Sequence, residues 1–216
     1  MKNLSLFANR DDAAQRLIQY LFPEQRENIL VLAIPRGGVP VAAIIARHYQ
    51  LPMDLMMVKK ICMPGHSELA IGAVSLLSEI IDPRFSVDAD YLTGEVLRIR
   101  QQLKQRYQSL ARKSHAFPLT SKEVWIVDDG IATGNTMAAA IQMARSQQAS
   151  KVVVIAPVAS HTAWKWMKSL ADEVVCILHP KDFNAVGQYY VDFGQVEDSE
   201  VQALMNHQIQ SINYHE

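Results

Sequence analysis

Cysteine is scarce in this 216-residue chain: only Cys62 and Cys176 occur. They stand far apart and in no CxxC pair, so neither a disulfide framework nor a cysteine zinc site is suggested. Long hydrophobic runs are missing as well, and no stretch approaches the roughly 18–20 residues that a membrane span needs. The opening "MKNLSLFANRDDAAQ" reaches charged residues before any apolar core of signal-peptide length. A cytoplasmic protein with no membrane partner is the expectation. Charge of one sign is also lacking, because 21 Lys and Arg face 22 Asp and Glu for a net −1. No global field marks nucleic acid or an anionic surface as the partner. Arg98, Arg100, Lys104, Arg106, Arg112 and Lys113 read as a solvated helix face rather than a nucleic-acid contact. His66 and His161 stand alone and suggest no metal cluster. Internal repeats, low-complexity linkers, a GxxxxGK[ST] loop and a GxGxxG fingerprint are all absent.

What is present is a globular composition, 49% hydrophobic and 20% charged, in a chain long enough to bury a sizeable core. Asn9 is placed to cap a helix in which Ala13, Ala14, Leu17, Ile18 and Leu21 fall at helical spacing. Short continuous apolar runs at 29–34, 123–127, 151–158 and 173–178 have the pattern of strands buried on both faces. Residues 54–59 read as a further strand, followed by the polar loop "KICMPGHSELA" and by short strands in "IGAVSLL" and "EII". Helices are expected after Pro40, over about 90–113, over 136–148, over 161–171 and near the end of the chain. This alternation predicts an α/β, doubly wound and mainly parallel sheet. Ligands of such sheets gather at the carboxyl ends of the strands.

Three loops at those ends carry unusual chemistry: "PRGG", "KKICMPGHSELAIG" and "DDGIATGNT". In "VWIVDDGIATGNT", Asp128 and Asp129 follow the strand and a helix begins near Thr136. Gly130 and Gly134 permit tight turning, and N–H groups at a helix start make a cradle for one phosphate. Thr133, Asn135 and Thr136 add side-chain donors. The two carboxylates suit vicinal hydroxyls or a hydrated metal ion. A sugar phosphate reconciles the acids with the cradle. The competing reading is a plain strand–turn–helix junction with Asp and Thr as caps.

The string "IVDDGIATGNT" resembles the 5-phosphoribosyl-1-pyrophosphate (PRPP) motif of the type I phosphoribosyltransferases. "LAIPRGGVPVA", "VKKICMPGHSELAIGAV" and "FNAVGQYYVDF" are similar to segments of a bacterial branch of that family. The resemblance covers nearly the whole chain and implies a single domain over 1–216, with a small hood from the N-terminus and about 179–216. It implies that Asp128 and Asp129 hold the ribose hydroxyls and, through water, Mg²⁺. Gly130, Ile131, Ala132, Thr133, Gly134, Asn135 and Thr136 would wrap the 5-phosphate. Arg36, Gly37 and Gly38 match the pyrophosphate loop. Lys59 and Lys60 match basic residues at the start of a flexible catalytic loop, with 60–70 as the candidate lid and Glu68 as a candidate acid–base group. Phe183 and Tyr189, in the hood, are candidates to stack on a heterocyclic acceptor.

The family members that use hypoxanthine or guanine carry an aspartate where this chain has Ala132. In that respect it resembles adenine- and orotate-using members. The expected activity is Mg²⁺-dependent transfer of phosphoribosyl from PRPP to a small, nucleobase-like nitrogen acceptor. The alternative is a PRPP-sensing regulator that kept the fold and lost turnover. Retention of the acidic pair and a basic lid favours the enzyme, as does the lack of an evident helix-turn-helix. Trp164 and Trp166 read as packing and interface residues, in keeping with a homodimer.

Overall fold

The computed structural model describes residues 6–24, 26–111 and 116–213, and of Ser67, Glu68 and 207–213 it describes the backbone only. In chain order the elements are α1 (Arg10–Ile18), β1 (Ile29–Ala33), α2 (Gly38–Tyr49), β2 (Met53–Leu55), β3 (Val58–Met63) and β4 (His66–Ser75). They continue as β5 (Glu79–Ile81), α3 (Ala89–Ala111), β6 (Glu123–Val127), α4 (Asn135–Ser146), β7 (Lys151–Val158), α5 (His161–Leu170), β8 (Glu173–Leu178) and α6 (Asp198–Asn213).

Every residue of "ILVLA" in β1 is buried, because both faces of the sheet are covered and period-2 alternation has no solvent side to report. Five strands pair in parallel in the order β2-β1-β6-β7-β8. Alternate residues feed two cores. Val31, Ala33, Trp125, Val127 and Ile155 pack with α1, α2, α3 and α6. Leu30, Leu32, Ile126, Val154 and Ala156 pack with α4 and α5 on the opposite face. Helices on both faces make the sheet doubly wound. Each fully buried Val, Leu or Ile contributes about 1.5–3 kcal/mol.

The direction of strand addition reverses at β1. The chain goes from β1 outward to β2, then returns to β6 on the other side of β1. A crevice opens at such a switch point, beyond the carboxyl ends of the two strands. The loops "PRGG" and "DDGIATGNT" leave those two ends.

Residues 54–59 do not form the single strand expected. The Met56 N–H closes the main ladder on Ala33 C=O at 2.8 Å. Met56 and Met57 then lead, both buried, into β3 of a separate antiparallel sheet, β3-β4-β5. The stretch expected to be a polar loop is therefore largely a hairpin, with Lys59 opposite Val74 and Lys60 opposite Ala73. Its apolar contacts explain why. Ile61, Ile71 and Val74 are buried with Ile99 and Leu103 of α3, whereas Val58, Ala73 and Ile80 pack toward α4. The turn at Pro64 and Gly65 is exposed, with Gly65 at φ 77° and open space where a Cβ would stand.

Asn9 caps α1 as expected, accepting from the Asp12 N–H at 2.9 Å. The tail segment carries a 3-10 turn at Val186–Tyr189 rather than a regular strand. It is joined to the N-terminal segment: Phe7 N–H donates to Tyr189 C=O, and Val191 N–H donates to Phe7 C=O. Phe7, Tyr189 and Tyr190 form a small core there with Ala13 and Val158.

Candidate active site

Strand β6 ends at Val127, and Asp128 and Asp129 follow where the ladder runs out. The Asp128 N–H still donates to Ile155 C=O at 3.1 Å, and Asp128 itself accepts from the Asp129 N–H at 2.9 Å. Burial, then the adjacent Asp129 carboxylate, pushes Asp128 well above the usual carboxylate range. Burial raises Asp129 too, against the pull of a guanidinium from α1. That guanidinium is Arg10, whose Nε and Nη2 both reach Asp129 Oδ2 at 2.8 Å. Arg10 is in turn held by Gly194 C=O at 2.8 Å and by the Phe193 ring, 4.1 Å from its centroid. The Tyr190 hydroxyl donates to Asp129 C=O at 2.6 Å. The acid pair is thus built from below by a strand end and from the side by the joined N-terminal and tail segments.

The chain next runs alongside the end of β7. Ile131 N–H donates to Val158 C=O, Ser160 N–H returns to Ile131 C=O, and Ser160 Oγ donates to Ala132 C=O at 2.7 Å. Gly134 turns the chain into α4 with φ 84° and leaves the helix without a side-chain cap. The first-turn N–H groups of α4 therefore face the loop unclaimed by a side chain, and Thr133, Asn135 and Thr136 are exposed around them. This is the backbone arrangement that favours an anion.

Across the crevice, Ile34 and Pro35 lead into Arg36, Gly37 and Gly38, and the Pro35–Arg36 peptide bond is cis. Close approach, not torsion, is what demands glycine here. A Cβ on Gly37 would lie 2.1 Å from Asp129 Oδ2, and one on Gly38 would lie 2.5 Å from Val127 C=O. The two loops are packed directly against each other, which brings Arg36, Gly37, Gly38, Asp128 and Asp129 into one site.

The two lysines separate. Adjacent residues of a strand point to opposite faces, and Lys59 donates to Gln102 Oε1 of α3 at 3.1 Å. Lys60 lines a cleft of about 360 Å³ with Asn135 at the start of α4, Asp82 and Trp166. Lys60, not Lys59, shares the face of the phosphate loop. Glu68 lies on β4, but its side chain falls outside the described residues. Phe183 and Tyr189 stack on each other with ring centroids 5.4 Å apart. Tyr189 is buried and its hydroxyl donates to Asp182 C=O, so only Phe183, half-buried, offers ring surface outward.

Two participants were not anticipated from the sequence. Arg10 reaches the acid pair from 119 residues away, and Tyr190 from 61. Local pattern carries no sign of either contact.

A family model described as the phosphoribosyl transferase domain matches residues 3–193. This chain belongs to the phosphoribosyltransferase family. It is 38% identical over 208 residues to proteins of two Mycobacterium tuberculosis strains that are provisionally named phosphoribosyl transferases. The match takes in 94% of this chain but 47% of those proteins, so the chain spans about half the length of these curated relatives. The crystal structure of TT1426 from Thermus thermophilus matches at 38% identity with a TM-score of 0.85, covering 94% of this chain and 99% of that one. The α/β fold and the membership of the phosphoribosyltransferase family are thereby established together. No helix among the described residues is long and apolar enough to cross a membrane.

Proposed function

We propose that this protein transfers 5-phosphoribosyl from PRPP to a small, nucleobase-like nitrogen acceptor and releases pyrophosphate. The observation that carries the reading is the packing of the Arg36–Gly38 loop against Asp129, beside the uncapped start of α4. In one crevice this provides an anion cradle, an acid pair and a cationic loop. The 5-phosphate belongs in the cradle of residues 130–136, the ribose diol on Asp128 and Asp129, and the diphosphate at Arg36 and the Gly37–Gly38 backbone.

In the transfer, the acceptor nitrogen bonds to the anomeric carbon as the bond from that carbon to the diphosphate oxygen breaks. Positive charge develops on the ribose and negative charge on the leaving diphosphate. Asp128 and Asp129 would stabilise the first and Arg36 the second; preorganised electrostatics of this kind is commonly the largest catalytic contribution. The β3–β4 hairpin, anchored on α3 and carrying Lys60, is the element placed to exclude water.

The residues also fit Mg²⁺. Among the described residues no three His, Cys, Asp or Glu side chains form a cluster, so those residues offer no all-protein cage. Mg²⁺ keeps several waters and takes one or two carboxylates plus substrate phosphates, which is what Asp128 and Asp129 beside a diphosphate site provide. Bound there, the ion would supply further charge neutralisation for the diphosphate. As for the acceptor, the outward surface of Phe183 is the aromatic face available in the hood.

The test is PRPP-dependent pyrophosphate release across a panel of nucleobases and related nitrogen heterocycles. Release with at least one acceptor supports transfer. Silence across the panel with intact PRPP binding would instead indicate a non-catalytic PRPP sensor.

A further inference from the structure

Arg36 is not alone at the carboxyl end of β1. A cavity of about 190 Å³ opens there, walled by Ile34, Pro35 and Arg36, by the Met56–Val58 connection, by Leu103 and Arg106 of α3, and by Thr136. Two guanidinium groups from elements far apart in sequence line one small cavity beside the crevice. Like charges so placed repel unless an anion lies between them, and one does. Asp198, the first residue of α6, is gripped by both nitrogens of the Arg106 fork: Nη2 to Oδ1 at 2.7 Å, and Nη1 to Oδ2. Arg36 Nη1 donates to the same Asp198 Oδ1 at 3.4 Å, and Glu197 Oε2 is 4.0 Å from Arg36. The hydrogen bonds from Arg106 hold Asp198 below the usual carboxylate range, so it is an anion at neutral pH.

A planar guanidinium that grips a carboxylate with two parallel hydrogen bonds grips a phosphate in the same way. The pair of arginines is therefore a ready seat for a dianionic group, filled by a tethered carboxylate. We propose that Arg106, with Arg36, binds the diphosphate of PRPP and the released pyrophosphate, and that Asp198 is an intramolecular competitor which the ligand displaces. The inference rests on the PRPP reading of the crevice and assigns a second cation and a built-in brake to its diphosphate end. Displacement is energetically accessible because all three side chains remain partly solvated, at 33% for Arg36, 41% for Arg106 and 39% for Asp198. Ion pairs of that exposure contribute little to holding a fold, so α6 does not depend on the contact.

Calorimetry with magnesium pyrophosphate as the probe, on the full chain, tests this. Arg106→Gln should weaken pyrophosphate binding about tenfold or more, the loss expected for charge-assisted hydrogen bonds. Arg106→Lys should recover only part of it, since the fork is lost. Asp198→Asn keeps the size of the side chain and should tighten pyrophosphate about tenfold by removing the competing charge. In the Arg106→Gln background the Asp198→Asn gain should shrink. Thermal melting of each variant checks that the fold is kept. If Arg106→Gln binds pyrophosphate as the wild type does, or if Asp198→Asn binds no tighter, the inference is overturned while PRPP binding by the wild type still upholds the proposed function. If the wild type binds neither pyrophosphate nor PRPP, both fall together.

Discussion

Gly37→Ala adds one methyl at the closest contact between the two loops. Its Cβ would lie 2.1 Å from Asp129 Oδ2 and 2.5 Å from the carboxyl carbon, so the carboxylate has to move by about an ångström or more to restore ordinary carbon–oxygen contact. Asp129 cannot turn aside at no cost, because Arg10 holds the same Oδ2 through two nitrogens at 2.8 Å. The backbone itself offers no objection: Gly37 has φ −59° and ψ −35°, where alanine gains about 0.4–1 kcal/mol from the unfolded state. Against that stand about 1–3 kcal/mol for overpacking and about 1.5–3 kcal/mol for hydrogen bonds to a charged group. The net expectation is a destabilisation of about 2–4 kcal/mol, with PRPP affinity falling as the acid pair is displaced. Urea denaturation and PRPP calorimetry measure the two effects. Arg10→Ala supplies the internal check: with Arg10 gone, Asp129 can swing away, so Gly37→Ala should cost less in that background, a coupling of about 0.5–3 kcal/mol. A Gly37→Ala protein as stable as the wild type, with unchanged PRPP affinity, would refute the claim that the loops are packed through this contact.

Thr133→Val keeps shape and removes a hydroxyl from the rim of the phosphate cradle; PRPP binding should weaken by about 1.5–3 kcal/mol, read by calorimetry. Asp172 is shifted by opposing effects: burial pushes it up, but Arg145 at 2.8 Å and the Val152 N–H at 2.6 Å hold it below the usual carboxylate range overall. A lowered folded value means stability that is present above the unfolded value of about 3.9 and lost as pH falls through the folded one. Asp172→Asn should therefore melt lower than the wild type at pH 7, and the gap should close in strong acid; a gap independent of pH would contradict the ion-pair assignment.

The main sheet was readable because four of its five strands are continuous apolar runs bounded by turn residues, and β6, β7 and β8 have the limits those runs suggest. The cap at Asn9 and the strand–helix junction at Asp128–Thr136 followed from local chemistry. The later half of β4 and all of β5 were readable in "IGAVSLL" and "EII", but residues 60–70 of the β3–β4 hairpin were not, because Lys60 and the Pro64–Gly65 pair give them the polarity of a loop. The hairpin's strand character comes from Ile61, Ile71 and Val74 burying against α3, a tertiary contact. Arg106 was read as part of a solvated helix face; Arg98 and Lys104 of that face are exposed, Arg100 and Arg106 are half-buried in ion pairs with Glu79 and Asp198, and Arg112 and Lys113 lie outside the described residues. The pairing of Arg106 with Asp198, 92 residues on, is set by how α3 and α6 meet. The division of labour between Lys59 and Lys60 likewise needed the strand direction, which the sequence of a presumed loop does not carry.

As proposed, the crevice between β1 and β6 is a PRPP site that depends on Asp128 and Asp129. The most direct measurement is calorimetric titration of PRPP with Mg²⁺ against ATP and NAD, on the wild type and on the Asp128→Asn/Asp129→Asn double variant. The wild type should bind PRPP in preference to both nucleotides. At about a hundred times its dissociation constant, PRPP should then stabilise the fold by roughly 2.7 kcal/mol, and the folded double variant should bind it more weakly. Equal or tighter binding of ATP or NAD, or undiminished PRPP binding by the double variant, would contradict the proposal.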